Sequence, residues 1–329
     1  MNLFEINMRF ICLLLLGILS TPLHGAYLFK NGRFLNKRYA ATLSVEEHYK
    51  KGLEALQQKK WNDAEDQLRT VMTSFEASSL AREARYYLAV VFYEKNELDL
   101  ANEEFSSYLH ESNSPSHFED VYRYKLSIAK KLASGHRRRI FGSQSMPKIM
   151  SGRSLALDVF DQVASGLPNH ELAATALLGK GELLRLDEEF DAAIDTYQTV
   201  LRRFKGTAFA LQAFQGMSAC YIDQTARQPQ NLDALVLAEI NLKECAKEFP
   251  QAKEIAQLEA ELLKMREQYV TALYETGLLY ERMEKPRASV LYYHLALTKL
   301  PSSSVATLCQ QRLKELSEYV EELRLSIPS

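Results

Sequence analysis

Two adjoining runs of apolar residues between Thr175 and Lys205 repeat at helical spacing. A period of 3.6 residues predicts two amphipathic helices, and the acidic run 187–189 between them predicts a polar turn. Neither helix can bury its apolar face alone, so this unit needs neighbours of the same kind. The apolar positions are Leu177, Leu178, Gly181 and Leu184 in the first helix, and Phe190, Ala193, Ile194, Tyr197, Val200 and Leu201 in the second.

The same pattern returns along the chain with a period of about 34 residues. With Gly181 placed at position 8 of the unit, the same frame puts Gly52, Ala89 and Gly277 at position 8 of three other units. Two more units fit if their connections are longer. The expected repeats are 45–78, 82–115, 118–170, 171–205, 207–251 and 270–303, with a closing helix over 305–323.

Six tandem helix pairs resemble the tetratricopeptide repeat (TPR) family. The resemblance implies an all-α fold, a TPR α-solenoid of about six helix pairs plus a C-terminal capping helix, spanning 44–329. No run with a period of two residues reaches strand length outside the N-terminal segment, so we expect no strands. A charged amphipathic helix over 252–269 is expected to lead into the last repeat.

The N-terminal segment 1–25 has the pattern of a secretory signal. Its apolar run Phe10–Leu19 is too short to span a bilayer, which takes about 20 residues, and Arg9 precedes it. The alternative is a short N-terminal anchor that stays attached. The basic, acid-free segment 26–43 is expected to be a flexible leader, or else an arm that touches an acidic partner.

The third repeat is interrupted by a polar insertion over 134–153. It carries Arg137, Arg138 and Arg139 and no acidic residue. A basic run is often only a solvated surface. However, long loops inside compact repeats tend to be functional or disordered, and the pair Ile140-Phe141 favours a loop that docks on the protein.

Composition and motifs argue against catalysis. The net charge is −2, which gives no general attraction to nucleic acid. The sequence contains no phosphate-binding loop, zinc-protease motif or nucleophile elbow, and its seven histidines are scattered. We therefore expect a non-enzyme without cofactors or metal. Cys220, Cys245 and Cys309 are expected to be small buried residues.

Three stretches are similar to the BamD family, the periplasmic TPR proteins of the outer-membrane β-barrel assembly machinery. They are 45–75 with the YYLAVVFYEKNELDLANEEFSSYL segment after it, the insertion RRRIFGSQS with the SGRSLALDVFDQVASGLPNHELAATA segment, and the ending EAELLKMREQYVTALYETGLLYERMEKPRASVLYYHLALTKLP. Phe-Gly in the insertion and the Val-x-x-Gly-Leu-Pro-Asn motif are the most specific. Two departures from the family are an extra repeat and Cys12, whose preceding residues do not form a lipobox.

The resemblance implies a periplasmic protein, peripheral to the outer membrane, with two kinds of partner. These are the barrel-forming, BamA-like assembly subunit and unfolded outer-membrane proteins. Because the lipobox is missing, we expect the mature protein to be held at the membrane by its partner. The alternative is another periplasmic TPR adaptor for secretion, pilus or cell-envelope assembly.

Two sets of tyrosines are candidate binding residues. First helices of TPR units line the inner surface, and position 5 points into it, so a peptide-binding aromatic ladder is predicted there; the alternative is that these tyrosines pack in the core. Aromatic rings offer large contact area at little entropic cost. Tyr292 and Tyr293 are the candidates for docking the barrel-forming subunit through the C-terminal repeats. The ladder consists of Tyr49, Tyr86 and Tyr124 at position 5 and Tyr93 at position 12.

Overall fold

A computed structural model describes residues 27–30, 33–111, 114–140 and 146–323. The expected signal segment 1–25 lies outside these residues. The predicted all-α architecture is confirmed, with fourteen α-helices in the described part of the chain. They are α1 (Val45–Gln57), α2 (Trp61–Ser74), α3 (Ser79–Glu94), α4 (Leu98–His110), α5 (Phe118–Ala133), α6 (Arg153–Gly166), α7 (Glu171–Leu186), α8 (Phe190–Arg203), α9 (Ala208–Arg227), α10 (Leu232–Glu248), α11 (Glu254–Arg282), α12 (Pro286–Lys299), α13 (Ala306–Glu315) and α14 (Ser317–Glu322).

The helices belong to two compact units. The first contains the described residues up to Val121 together with Arg138–Lys148, and the second contains Tyr122–Arg137 and the described residues from Ile149 onward. Within the first unit α1, α2, α3 and α4 pack in sequence, and α1 also touches α3. Within the second unit α6 to α13 pack in sequence, and α7 touches α9, which touches α11. Contact between successive first helices is what stacked helix pairs require.

The interrupted pair α5–α6 is an antiparallel helix pair in spite of the insertion. Lys125 in α5 donates a hydrogen bond to Gln162 in α6 over 2.6 Å. One turn away, Gly166 lies so close to the ring of Tyr122 that a side chain there would meet its hydroxyl oxygen. The two helices therefore contact each other at two levels in spite of the long connection.

Four first helices end with the same left-handed turn. Lys59, Asn96, Glu188 and Glu284 all have φ between 56° and 68°, and all four occupy position 15 of the repeat. At the first of them, the N–H of Lys60 donates to the carbonyl of Ala55 and that of Lys59 to Leu56, which is the Schellman arrangement. α5 ends in the same way with Gly135 at φ 105°. A common turn thus fixes how each second helix begins.

Glycines allow helices within and between pairs to come close. A Cβ at Gly181 would lie 2.7 Å from Tyr197, and one at Gly216 would lie 2.4 Å from the same ring. In the last pair, a Cβ at Gly277 would lie 2.4 Å from Tyr293, which is fully buried. Small residues at position 8 therefore have a steric reason: a large aromatic ring fills the space beside them.

The expectation that the chain contains no strands is wrong for four short segments. β1 (Tyr27–Lys30) and β2 (Arg33–Asn36) pair antiparallel, with Lys30 opposite Arg33. β3 (Arg137–Arg139) and β4 (Lys148–Ser151) form a second two-stranded sheet inside the insertion. In the sequence, β1 and β2 are separated by Asn31-Gly32, the favoured two-residue hairpin connection, and this signal was overlooked.

The end of the leader next to α1 makes hydrogen bonds to the first helix pair. Thr42 and Leu43 donate their backbone N–H groups to Nε2 of buried His48, each over 3.2 Å. Nδ1 of His48 lies 2.7 Å from Gln67 in α2. Because Nε2 accepts two hydrogen bonds, the proton of the neutral ring is on Nδ1. Residues just before α1 are therefore fixed to the first helix pair.

Two boundaries near the C-terminus differ from the prediction. The expected lead helix over 252–269 and the first helix of the last repeat are one continuous helix, α11. Its buried residues continue at helical spacing through the expected break, and no glycine or proline interrupts it before Gly277. The cap expected over 305–323 is divided between α13 and α14. None of the described helices is both long enough and apolar enough to cross a membrane.

Replacing Glu284 by glycine should raise the free energy of unfolding by about 0.5–1 kcal/mol. A left-handed residue with a side chain costs roughly 1–2 kcal/mol, and the entropy that glycine gains on unfolding offsets only part of this. The matched control is Glu259→Gly at an exposed position inside α11, which should lower stability by about 1 kcal/mol. Urea denaturation measures both changes. Equal destabilisation by the two substitutions would contradict the strain at position 15.

Candidate functional site

The first helices of the first unit carry an accessible aromatic pair, Tyr49 in α1 and Tyr87 in α3. Their ring centroids are 6.2 Å apart with an edge-to-face angle of 67°, and both side chains are half-buried. Burial, followed by the neighbouring Tyr87, raises the pKa of Tyr49 to about 12. The Tyr49 ring therefore stays neutral near pH 7, and the pair can offer apolar area and a hydroxyl to a bound peptide. We call Tyr49 and Tyr87 the α1–α3 aromatic surface.

Tyr86, the predicted middle member of the ladder, lies in the core. Its ring is only 7% exposed and stacks on His117 at 3.9 Å with the planes 9° apart. It also contacts Phe105 and Tyr108. The repeat frame places Tyr86 at position 5, which is expected to face the inner surface. The more accessible residue is Tyr87, whose side chain points 100° away from that of Tyr86 around the helix axis. The accessible residue Tyr87 was therefore missed.

The other two predicted ladder residues are half-buried. Tyr93 lies in α3, in the first unit, and Tyr124 lies in α5, in the second unit. Both already have interactions with other parts of the protein. The structure thus supports an aromatic surface at Tyr49 and Tyr87 and adds neither Tyr93 nor Tyr124 to it.

The insertion is fixed to the turn between α3 and α4 through its basic residues. Arg139 donates two hydrogen bonds to the Glu97 carboxylate, each over 2.8 Å, and its backbone N–H donates to Asp99 over 2.9 Å. Lys148 pairs with Glu97 at 3.1 Å and donates to the carbonyl of Asn96 over 2.9 Å. These contacts agree with a docked loop and explain why a basic, acid-free segment is found here.

The three consecutive arginines have different environments. Arg139 is held by Glu97 and Asp99, as described. Nε of Arg138 is buried and has no hydrogen-bond partner among the described residues. Arg137 is exposed to solvent. Only Arg137 of the predicted basic set therefore presents its side chain openly to a partner.

The Glu97 carboxyl is the electrostatic centre of this docking contact. Burial alone would raise its pKa, but the hydrogen bonds from Arg139 and Lys148 and their charges outweigh burial, so the pKa lies below its ordinary value. The same hydrogen bonds raise the pKa of Arg139. A partly buried, bidentate pair is stronger than an exposed one. The docked insertion is therefore charged on both sides at neutral pH.

The last helix pair presents a second apolar surface. Tyr280 in α11 stacks on Tyr292 in α12, with ring centroids 5.3 Å apart and planes at 17°. Large apolar side chains on the same two helices are exposed. Tyr293 is fully buried, and its hydroxyl donates to Glu281 over 2.6 Å. The C-terminal apolar surface, as we define it, comprises Leu279, Tyr280, Met283, Leu291, Tyr292 and Leu295.

Of the two predicted docking tyrosines, Tyr292 thus belongs to a surface and Tyr293 to the core. The neighbouring leucines were missed, although their spacing of four residues, Leu279 to Met283 and Leu291 to Leu295, puts each pair on one helix face. Exposed apolar groups of this size mark interaction surfaces when they are contiguous.

Each of the two units has a cleft that is open to solvent. One of about 670 Å³ in the first unit is lined by Arg82, Arg85 and the start of α3. Another of about 780 Å³ in the second unit lies between the α9–α10 connection and one face of α11. Neither brings together a nucleophile, a base and an oxyanion site.

Cysteines and potential metal ligands give no reactive centre in the described part of the chain. Burial raises the pKa of Cys220 to about 12 and those of Cys245 and Cys309 to about 11. Thiols with such pKa values are poor nucleophiles at neutral pH. The described residues contain no group of histidine, cysteine, aspartate and glutamate that could hold a metal ion.

Comparisons with known families agree with a binding role. Residues 154–208 match the tetratricopeptide repeat family, and together with the helix-pair architecture this makes the fold a TPR α-solenoid. Residues 42–177 match the YfiO family of outer membrane lipoproteins. The second match contains the first two helix pairs, the insertion and α6. No curated protein matches the chain.

Two solved structures illustrate the similarity to repeat proteins. A tetratricopeptide repeat protein from Parabacteroides merdae is 13% identical, with 83% of this chain and 98% of that chain covered and a TM-score of 0.35. A thermophilic TPR protein from Thermus thermophilus is 15% identical, with 67% of this chain and 100% of that chain covered and a TM-score of 0.31.

Acidification should release the insertion from the α3–α4 turn. Because the pKa of Glu97 is lowered by docking, the stabilisation is complete above the ordinary glutamate pKa of about 4.3 and is lost as pH falls through the lower, folded-state value. The side-chain Nε–H signal of Arg139, followed by NMR during acid titration, reports this change.

Glu97→Gln should shift that signal towards its exposed position already at neutral pH. The matched control is Glu103→Gln at an exposed position of α4, which should leave the signal unchanged. An Arg139 signal that is the same in Glu97→Gln and in the original protein would contradict the docking contact.

Proposed function

We propose that this chain is a non-catalytic TPR scaffold of outer-membrane β-barrel protein assembly. In this role it binds the barrel-forming, BamA-like subunit at the periplasmic side of the outer membrane and receives unfolded outer-membrane proteins. The observation that carries the proposal is the match of residues 42–177 to an outer membrane lipoprotein family. That match includes the insertion, the segment in which the sequence most specifically resembles the BamD family.

The C-terminal apolar surface is our candidate contact for the barrel-forming subunit. It combines exposed leucines with a stacked tyrosine pair, and aromatic residues with apolar neighbours are the usual anchors of protein interfaces. The surface sits on two packed helices, so little order has to be gained on binding. This favours a preformed docking surface within residues 252–323.

Leu291→Asp combined with Tyr292→Ala should remove most of the barrel-forming subunit from affinity-purified, detergent-solubilised envelopes. A charge in place of an anchor in a desolvated interface costs several kcal/mol, which corresponds to at least a hundredfold loss of affinity. The matched control is Leu237→Asp, an equally exposed leucine on α10, which should purify with the subunit as the original protein does.

Two outcomes of this purification argue against different claims. Undiminished recovery of the barrel-forming subunit by the double variant would refute the C-terminal contact alone. Absence of that subunit from the original protein's eluate, with components of a secretion or pilus system in its place, would refute the barrel-assembly function itself.

The α1–α3 aromatic surface is our candidate site for unfolded clients. The resemblance implies clients whose terminal strands are rich in aromatic residues, and Tyr49 and Tyr87 present two rings in edge-to-face contact. Such rings suit an extended apolar-aromatic peptide because they provide contact area with few rotatable bonds. Tyr86 supports this surface from below, through its own edge-to-face contact with Tyr87 at 5.1 Å.

Tyr49→Ala and Tyr87→Ala should each weaken binding of a fluorescent peptide from a client C-terminus about tenfold, since aromatic anchors commonly contribute about 1–2 kcal/mol or more. Thermal unfolding should change little because both rings are only half-buried. Tyr86→Ala is the contrasting variant and should cost about 3–5 kcal/mol of stability, as loss of a buried large side chain does. A large stability loss in Tyr49→Ala or Tyr87→Ala would make these residues core instead.

A further inference from the structure

The β3–β4 hairpin of the insertion has one closed edge and one open edge. On the β3 side, the N–H of Arg139 points away from the hairpin and is bonded by the Asp99 carboxylate. The sheet contains only these two strands, so within the described chain no third strand covers β4. Unpaired strand edges offer rows of N–H and C=O groups to other chains, and proteins ordinarily protect them.

The exposed part of β4 is unprotected. Ile149 is 58% exposed, Met150 is 38% exposed, and Ser151 is exposed as well. Successive side chains of a strand point to opposite faces. The two apolar side chains therefore stand free on both faces of the strand. Pro147 and Lys148, residue types that protect strand edges, precede this part in the sequence.

The backbone register identifies which groups face outward. Ile140 donates its N–H to the carbonyl of Pro147 over 3.3 Å, so these two residues point towards each other across the hairpin. Inward and outward groups alternate along an antiparallel strand. Met150, three residues after Pro147, therefore directs its N–H and C=O outward. The outward N–H of Arg139, one residue before Ile140, obeys the same alternation.

The charge around this edge is positive. Arg137 is exposed, and Arg153, which pairs with Asp187, remains 44% exposed in its side chain. No acidic residue occurs between 134 and 153. An approaching strand with carboxylate side chains would meet the exposed Arg137 side chain and no acidic residue of the insertion itself.

We propose that the outer edge of Ile149–Ser151 binds an extended acidic segment of a partner protein by strand addition. The backbone groups of Met150 pair with the incoming strand, Ile149 and Met150 contact its apolar side chains on either face, and Arg137 attracts its carboxylates. Main-chain bonds give affinity and alternate side chains give selectivity in this mode of recognition. This inference does not depend on the barrel-assembly role.

The test uses the full chain and a fluorescein-labelled hexapeptide of alternating glutamate and valine, with binding measured by fluorescence anisotropy. We expect saturable binding with a dissociation constant below about 1 mM, within the weak range typical of short peptides. Met150→Pro removes the outward N–H and should weaken binding at least tenfold. Met150→Leu keeps the N–H and the bulk and should bind within about twofold of the original protein.

Two further arms separate strand addition from attraction by charge or by apolar side chains alone. A hexapeptide N-methylated on the alternate amides that face β4 should not bind the unaltered protein, a result that does not depend on any variant folding. Arg137→Glu should weaken binding of the glutamate peptide several-fold and favour the corresponding lysine–valine peptide.

Three results would overturn the proposal. The first is no saturable binding by the unaltered protein, and the second is undiminished binding by Met150→Pro or by the N-methylated peptide. The third is binding to vesicles of equimolar phosphatidylglycerol and phosphatidylcholine without binding to the peptide, which would make the basic insertion a membrane contact. Circular dichroism of Met150→Pro should match the original protein, since the inward ladder bonds are retained.

Discussion

The close approach of two helix backbones over a glycine, with an aromatic ring filling the gap beside it, is the contact on which this architecture depends. Tyr197 lies between Gly181 of its own pair and Gly216 of the following pair. The ring thus sets two distances at once, one within a repeat and one between repeats. Close-packed interiors transmit such constraints because neighbouring side chains cannot shift freely. Tyr293 against Gly277 repeats the arrangement in the last pair.

Much of this fold was predictable because the same pattern of residues occurs in several repeats. Position 8 marks the close contact, and the apolar period marks the helices, so six approximate matches support one another. The continuous helix α11 differs from the prediction because the buried residues from Leu258 to Gly277 keep helical spacing through the expected repeat boundary. The β1–β2 hairpin was missed although Asn31-Gly32 is a local turn signal.

The candidate surfaces were harder to predict, for two physical reasons. A repeat frame gives the position of a residue along a helix. Successive side chains differ in direction by 100° around the helix axis, so an error of one position selects buried Tyr86 instead of accessible Tyr87. Docking of the insertion depends on Glu97, which lies 42 residues before Arg139. The absence of acids within the insertion indicated a partner, yet nothing local to the sequence identified this carboxylate.

The left-handed end of α5 at Gly135 explains why the chain tolerates an insertion at this point. All five helix ends of this type complete their own hydrogen bonds within the turn, so the next segment of the chain need not satisfy them. Lengthening a loop costs free energy only logarithmically in its length, and α5 and α6 pair even though a hairpin has been placed between them. The turn is therefore a position at which a repeat protein can accept an inserted segment while its helix pairs stay stacked. The other turns of this type are equivalent positions for insertions.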